Sequence, residues 1–207
     1  MNKTFFSAAT AIVAVLVLTA CSEAPTTPAP TTEAAKPAAP TGPVPALTAF
    51  YEMYKPARTW ATDIQPLSMA SMETDTMKGE DGKYPVWSVV FVSPSKREAR
   101  TFTYAVVAQG TDIHKGVSAG GAQVWSGATA KSAPFANSDI ATNSDAAYQT
   151  AMERAGAWVK HNPGKAPQFS LAEESKYGVP VWYIMWGNKS NGYLVLVNAT
   201  TGTVIGK

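Results

Sequence analysis

Pro180-Val181-Trp182-Tyr183-Ile184-Met185-Trp186 is a β-rich run, and its first three residues repeat Pro85-Val86-Trp87, which opens the run Trp87-Ser88-Val89-Val90-Phe91. A second echo lies upstream of each. Ala57-Arg58-Thr59-Trp60-Ala61 matches Ala155-Gly156-Ala157-Trp158-Val159. The tryptophan offsets are 98 (158 − 60) and 95 (182 − 87) residues, and the polar stretch Thr74 to Lys83 can absorb the difference as a hairpin loop. Order and spacing agree, so the chain reads as two similar halves.

The second half has the plainer pattern. Ser144 and Asp145 supply capping chemistry, and Tyr148, Ala151, Met152, Ala155, Trp158 and Val159 recur at helical spacing until Asn162-Pro163-Gly164 stops the helix. Strands are expected over 168–174, 179–186 and 193–198, with a short last strand over 203–205 after the Thr201-Gly202 turn. In the first half a helix draws on Leu47, Phe50, Tyr54, Ala57, Trp60 and Ile64, and Pro56 either kinks it or marks its first turn. Strands follow over 67–73, 84–92 and 99–108. The expected fold is α+β, two similar halves, each a helix packed on a small antiparallel sheet, spanning 46–128 and 129–207.

The first 45 residues are of another kind. Lys3 precedes an uncharged, mostly apolar run from Phe5 to Leu18, too short for a comfortable membrane span of about 20 apolar residues. Residues 1–20 read as a signal peptide. Leu18-Thr19-Ala20-Cys21 resembles the lipobox of bacterial lipoproteins, which implies cleavage before Cys21 and lipid attached to its sulfur and new amino group. The competing reading is an ordinary thiol in a discarded signal. Ser22, not Asp, follows, which in Gram-negative lipoproteins implies the outer membrane, facing the periplasm. Residues 21–45 then form the lipidated cysteine and a linker: seven of the 24 residues from 22 to 45 are Pro, six Ala and five Thr. In polyproline II such a tether reaches up to roughly 75 Å.

Composition narrows the function. The 207 residues carry 17 Lys plus Arg against 15 Asp plus Glu, so no basic footprint for nucleic acid is present. One cysteine and two histidines leave no thiolate zinc site and little for a histidine one, and no cofactor is expected. His114 and His161 lack metal-motif spacing, and His161 suits a helix C-terminus. Asp75, Glu80 and Asp81 lack the alternation of a calcium loop and read as a polar hairpin tip. Asn188-Lys189-Ser190 and Asn198-Ala199-Thr200 match glycosylation sequons, which matter only on a eukaryotic secretory route.

Helix, strand, Val181 to Ile184 and then Leu194-Val195-Leu196-Val197-Asn198-Ala199-Thr200-Thr201-Gly202 resemble PepSY-like domains of secreted and envelope bacterial proteins. Those domains often end in Asp-Ala-x-Thr-Gly; here Asn198 replaces the acidic residue, and the first half has no Thr-Gly turn after Ala108. The resemblance implies a module without catalytic machinery that binds or modulates peptidases, with an envelope protein or peptide as partner. Fold analogy alone carries that implication.

Two site readings remain. Gly116-Val117-Ser118-Ala119-Gly120 fits the G-x-S-x-G of a nucleophile elbow, followed in hydrolase order by Asp139 or Asp145 and by His161. The alternative function is therefore a small periplasmic serine hydrolase using Ser118. The elbow needs a strand before and a helix after it, whereas the flanks here read as a glycine-rich turn with at most a short strand over 121–125. Trp182, Ile184 and Trp186 share one face of their strand, with Tyr193 near, while Val181, Tyr183 and Met185 share the other. Either the halves pack together and bury the surplus face, or Trp182, Ile184, Trp186 and Tyr193 form an open binding surface, since Trp and Tyr dominate hot spots.

Overall fold

The computed structural model describes residues 40–206. The expected signal peptide, Cys21 and the expected linker as far as residue 39 lie outside the described residues. In chain order the elements are β1 (Val44–Pro45), α1 (Ala46–Trp60), β2 (Gln65–Met72), β3 (Lys83–Tyr84), β4 (Val86–Ser93), β5 (Glu98–Ala105), β6 (Gly116–Val124), α2 (Ser144–His161), β7 (Pro167–Glu173), β8 (Pro180–Trp186), β9 (Tyr193–Asn198) and β10 (Val204–Ile205). A 3-10 turn, Asn137–Asp139, precedes α2. This is an α+β architecture with a large antiparallel sheet and two helices.

Eight strands form one sheet in the order β10-β9-β8-β7-β2-β4-β5-β6, antiparallel throughout, while β1 and β3 pair separately. Outward from the β2–β7 seam, both sides run helix, then a four-strand meander: α1, β2, β4, β5, β6 on one and α2, β7, β8, β9, β10 on the other. The expectation of a separate small sheet in each half is corrected: the strands form one sheet, joined edge to edge with Met69 opposite Leu171. Mutual pairing satisfies the backbone groups of β2 and β7, which two separate sheets would leave as open edges.

Both helices lie on one face. α1 covers β4 and β5, and α2 covers β8 and β9. In α1 the buried residues Ala46, Ala49, Phe50, Met53 and Ala57 follow the helical period, and the helix continues through Pro56, whose ring is exposed. Buried alanines (Ala147, Ala151, Ala155) bring α2 close to the sheet. Asp145 in its first turn and Lys160 with His161 in its last suit the helix dipole.

The tryptophan echoes have a structural counterpart. Trp87 and Trp182 are both fully buried and meet edge to face across the seam, ring centroids 6.3 Å apart. Trp87 Nε1 donates to the Val44 carbonyl and Trp182 Nε1 to the Thr142 carbonyl, each at 2.9 Å and each two residues before its helix starts. Val106 N–H donates to the Pro85 carbonyl and Ala199 N–H to the Pro180 carbonyl, the same closure in both halves. Trp60 packs on Phe102 of β5, and Trp158 stacks on Tyr193 of β9. Because Val44 is buried and holds Trp87, the folded part begins inside the segment 21–45 that composition reads as linker.

The helix starts interlock. Pro45 offers α1 no side-chain cap. Ser144 Oγ, fully buried, instead accepts from Ala46 N–H at 2.8 Å and donates to the Gly82 carbonyl at 2.6 Å, while Asn143 Oδ1 accepts from Leu47 N–H at 3.0 Å. Gly82 has φ +79°, and a Cβ there would lie 2.4 Å from the Ser144 carbonyl oxygen. Only glycine fits.

Candidate functional site

The proposed catalytic elbow does not form. Ser118 lies within β6, opposite Thr103 of β5, in extended backbone with strand on both sides of it. The next helix, α2, starts at residue 144 and packs on β8 and β9, about five strand spacings or roughly 24 Å across the sheet from β6. His161 sits at the C-terminus of α2 with Nδ1 2.8 Å from the Ala157 carbonyl oxygen. Geometry thus keeps Ser118 and His161 apart. The whole stretch 116–124 is strand, where sequence suggested a turn with a short strand after it. Glycine and alanine have little intrinsic strand preference, so pairing with β5 imposes this strand.

His114 is exposed before β6, and Asp75, Glu80 and Asp81 are exposed around the hairpin turn that Glu80 and Lys83 close. Among the described residues no group of three or more His, Cys, Asp or Glu side chains could hold a metal ion. Asn188 Oδ1 accepts from Ser190 and Asn191 N–H, and Asn198 Oδ1 from Thr200 and Thr201 N–H, so both sequon asparagines organise turns. No described helix is long and apolar enough to cross a membrane.

The face carrying Trp182, Ile184 and Trp186 is core, which corrects the open-surface reading. All three are at most 1% exposed, beneath α2, and Tyr193 is half-buried against Trp158. Alternation then sends Tyr183 and Met185 to the opposite face, away from the helices. The register extends that face: Tyr183 opposes Leu196, Met185 opposes Leu194, and Leu196 opposes Ile205. Leu194 is 46% exposed, and Tyr183, Met185, Leu196 and Ile205 are half-buried. Five large apolar side chains on three adjacent strands make one patch on the back of the second half. The sequence signal for it is the second apolar phase in β8 and β9, which one covering helix does not require.

Beside the patch the sheet turns to small and polar residues: Gln168 and Ser170 oppose Met185 and Tyr183, and Ala70, Ser68 and Ser88 continue across β2 and β4. At the rim Tyr183 Oη donates to Glu174 Oε1 at 2.5 Å, and Lys176 Nζ lies 3.0 Å from Glu174 Oε2. Burial and then this bond push the Tyr183 hydroxyl above its ordinary range, while the same bond and Lys176 hold Glu174 low. Tyr183 is therefore a neutral donor fixed in orientation. A shallow cleft of about 200 Å³ shares Leu194, Leu196 and Ile205 with the patch and is also lined by Arg154 and Tyr193. The arrangement is suited to contact: apolar area in the centre, a fixed hydroxyl, and charge at the margin.

No family model matches the chain, and no curated protein matches it. A solved structure from Clostridium difficile 630, provisionally named a lipoprotein, matches with 12% identity and a TM-score of 0.45, covering 76% of this chain and 90% of that one.

Proposed function

We propose that the chain is a lipid-anchored protein of the bacterial envelope whose two PepSY-like halves act as a non-catalytic binding module. The anchor rests on Leu18 to Cys21 at the end of the apolar run and on the proline-rich segment after it. Support for the two-half reading comes from the matching strand order about the β2–β7 seam and the equivalent bonds of Trp87 and Trp182. Binding rests on one observation: the apolar patch of Tyr183, Met185, Leu194, Leu196 and Ile205 on the face that the helices leave uncovered. The partner is an envelope protein or peptide, and modulation of a peptidase follows from the family resemblance.

Two experiments test this. Labelled palmitate enters the wild type in its host and not Cys21→Ala, and the wild type fractionates with the outer membrane; a water-soluble mature wild type starting after residue 21 overturns the anchor. A photo-crosslinking residue at position 194 forms a discrete adduct in intact cells, and the same residue at exposed position 97 does not. Equal adducts at both positions refute the patch as a site. Ester or peptide turnover abolished by Ser118→Ala refutes the non-catalytic reading.

A further inference from the structure

The two ends of the sheet differ. One closes with β10, two residues long, while the other is β6, nine residues from Gly116 to Val124, and no described strand pairs with its outer side. Edge strands are ordinarily blunted by shortness, lysine, proline or a bulge. β6 has neither charge nor proline, and its one such device is a bulge at Gly120-Gly121, where Thr101 alone stands between the pairs Arg100–Ala122 and Phe102–Ala119.

The bulge has a geometric effect. Residues 117 and 124 are seven apart, which in a regular strand puts them on opposite faces. Here Val117 opposes Tyr104 and Val124 opposes Glu98, six apart on β5, so both valines stand on the same face. They are 38% and 87% exposed, the two large exposed apolar residues of the strand. Their midpoint is the Gly120-Gly121 step, which carries no side chain of its own and whose Gly120 carbonyl accepts from Arg100 Nε at 2.7 Å.

We infer that β6 is the contact between two copies of this chain, paired antiparallel about a two-fold axis through Gly120-Gly121. In this register Val117 faces Val124 of the second copy, Ser118 faces Gln123 and Ala119 faces Ala122. Every opposed pair then lies on a common face, and none of the opposed β6 residues is charged. Shifting by one residue would set Val117 against Gln123, which projects from the other face with Ala99. The exposed valines thus find partners in a second copy, which an arbitrary extended peptide does not supply.

A single nine-residue strand pair buries less than the roughly 1,000 Å² of a stable interface, so the dimer is weak in free solution. Holding copies on one surface raises their effective concentration, by roughly 100-fold or more in association. This enhancement in the cell rests on the proposed lipid anchor; the contact itself does not.

Disulfide trapping tests the register. In a Cys21→Ala background, with an N-terminal His tag on nickel-chelating vesicles in place of the lipid, Val117→Cys and Val124→Cys are oxidised singly and as a mixture. The mixture forms the 117–124 disulfide dimer. Each single variant remains monomeric, because like positions lie roughly 20 Å apart, beyond disulfide reach. Lysines at both 119 and 122 abolish trapping, and mixing that protein with one carrying aspartates at both positions restores it. The inference is overturned if the mixture yields no dimer on the vesicles, or if either single variant dimerises as well as the mixture. Since the His tag replaces the lipid, failure of palmitate labelling leaves this result untouched.

Discussion

Ser144→Ala removes one hydroxyl and breaks two contacts of the interlock between the halves. Ala46 N–H loses its acceptor at 2.8 Å and the Gly82 carbonyl its donor at 2.6 Å, both within 0%-exposed surroundings of Ser144 where water has no access. A buried backbone group left unpaired costs about 1–3 kcal/mol, so the pair costs about 2–4 kcal/mol after partial relaxation. For a domain of this size, each kcal/mol lowers Tm by about 2–4 °C, which makes the expected loss roughly 4–16 °C. Calorimetry of the chain without its first 39 residues provides the measurement, with Ser190→Ala as the control, since Ser190 is exposed and serves only a local turn. Asn143→Ala should fall between the two, as its bonds are only part-buried. A Ser144→Ala loss no larger than that of Ser190→Ala would falsify the shared-cap account, because it would mean α1 starts without help from α2.

The burial of the tryptophan face makes Trp186→Ala a cavity substitution, expected to cost about 3–5 kcal/mol in urea unfolding. Trp87→Phe and Trp182→Phe should destabilise by similar amounts, since each orphans one carbonyl before a helix, and a large asymmetry in denaturation midpoints would separate the two halves energetically. Leu194→Glu should leave Tm nearly unchanged, as its side chain is 46% exposed, whereas Leu196→Gln beside the crosslinking residue at position 194 should abolish the adduct. Bonds from Ser93 and then Ser95 hold the Asp63 carboxyl down at about 2, below its ordinary 3.8. A lowered folded value means stability is present above about pH 4 and lost as pH falls towards 2, and Asp63→Asn should flatten the acid limb of a pH series of melts.

Much of the architecture was legible in the chain. Helical spacing around Ala155 and Trp158, alternation in 180–186 and the tripeptide Pro-Val-Trp depend on local chemistry, and all three correspond to observed elements. Thr74 to Lys83 was expected to hold the length difference, and the connection between β2 and β4 is indeed longer than that between β7 and β8. What local pattern could not carry was pairing between distant segments. Gly116 to Val124 has weak strand preference and becomes strand because β5 offers a ladder. The G-x-S-x-G motif around Ser118 lies in extended strand for the same reason.

By itself the sequence determined the composition of the first 45 residues, the Pro-Val-Trp and tryptophan echoes and the two apolar phases of 180–186, because these are properties of neighbouring residues. Only the tertiary structure decided which phase is core. An apolar strand face is buried when a helix lies on it, and α2 lies over Trp182 and Trp186, leaving Tyr183, Met185 and Leu194 on the other side. It also decided that β2 and β7 pair into one sheet, since hydrogen bonds between edges depend on where the chain brings two backbones together and not on which side chains they carry.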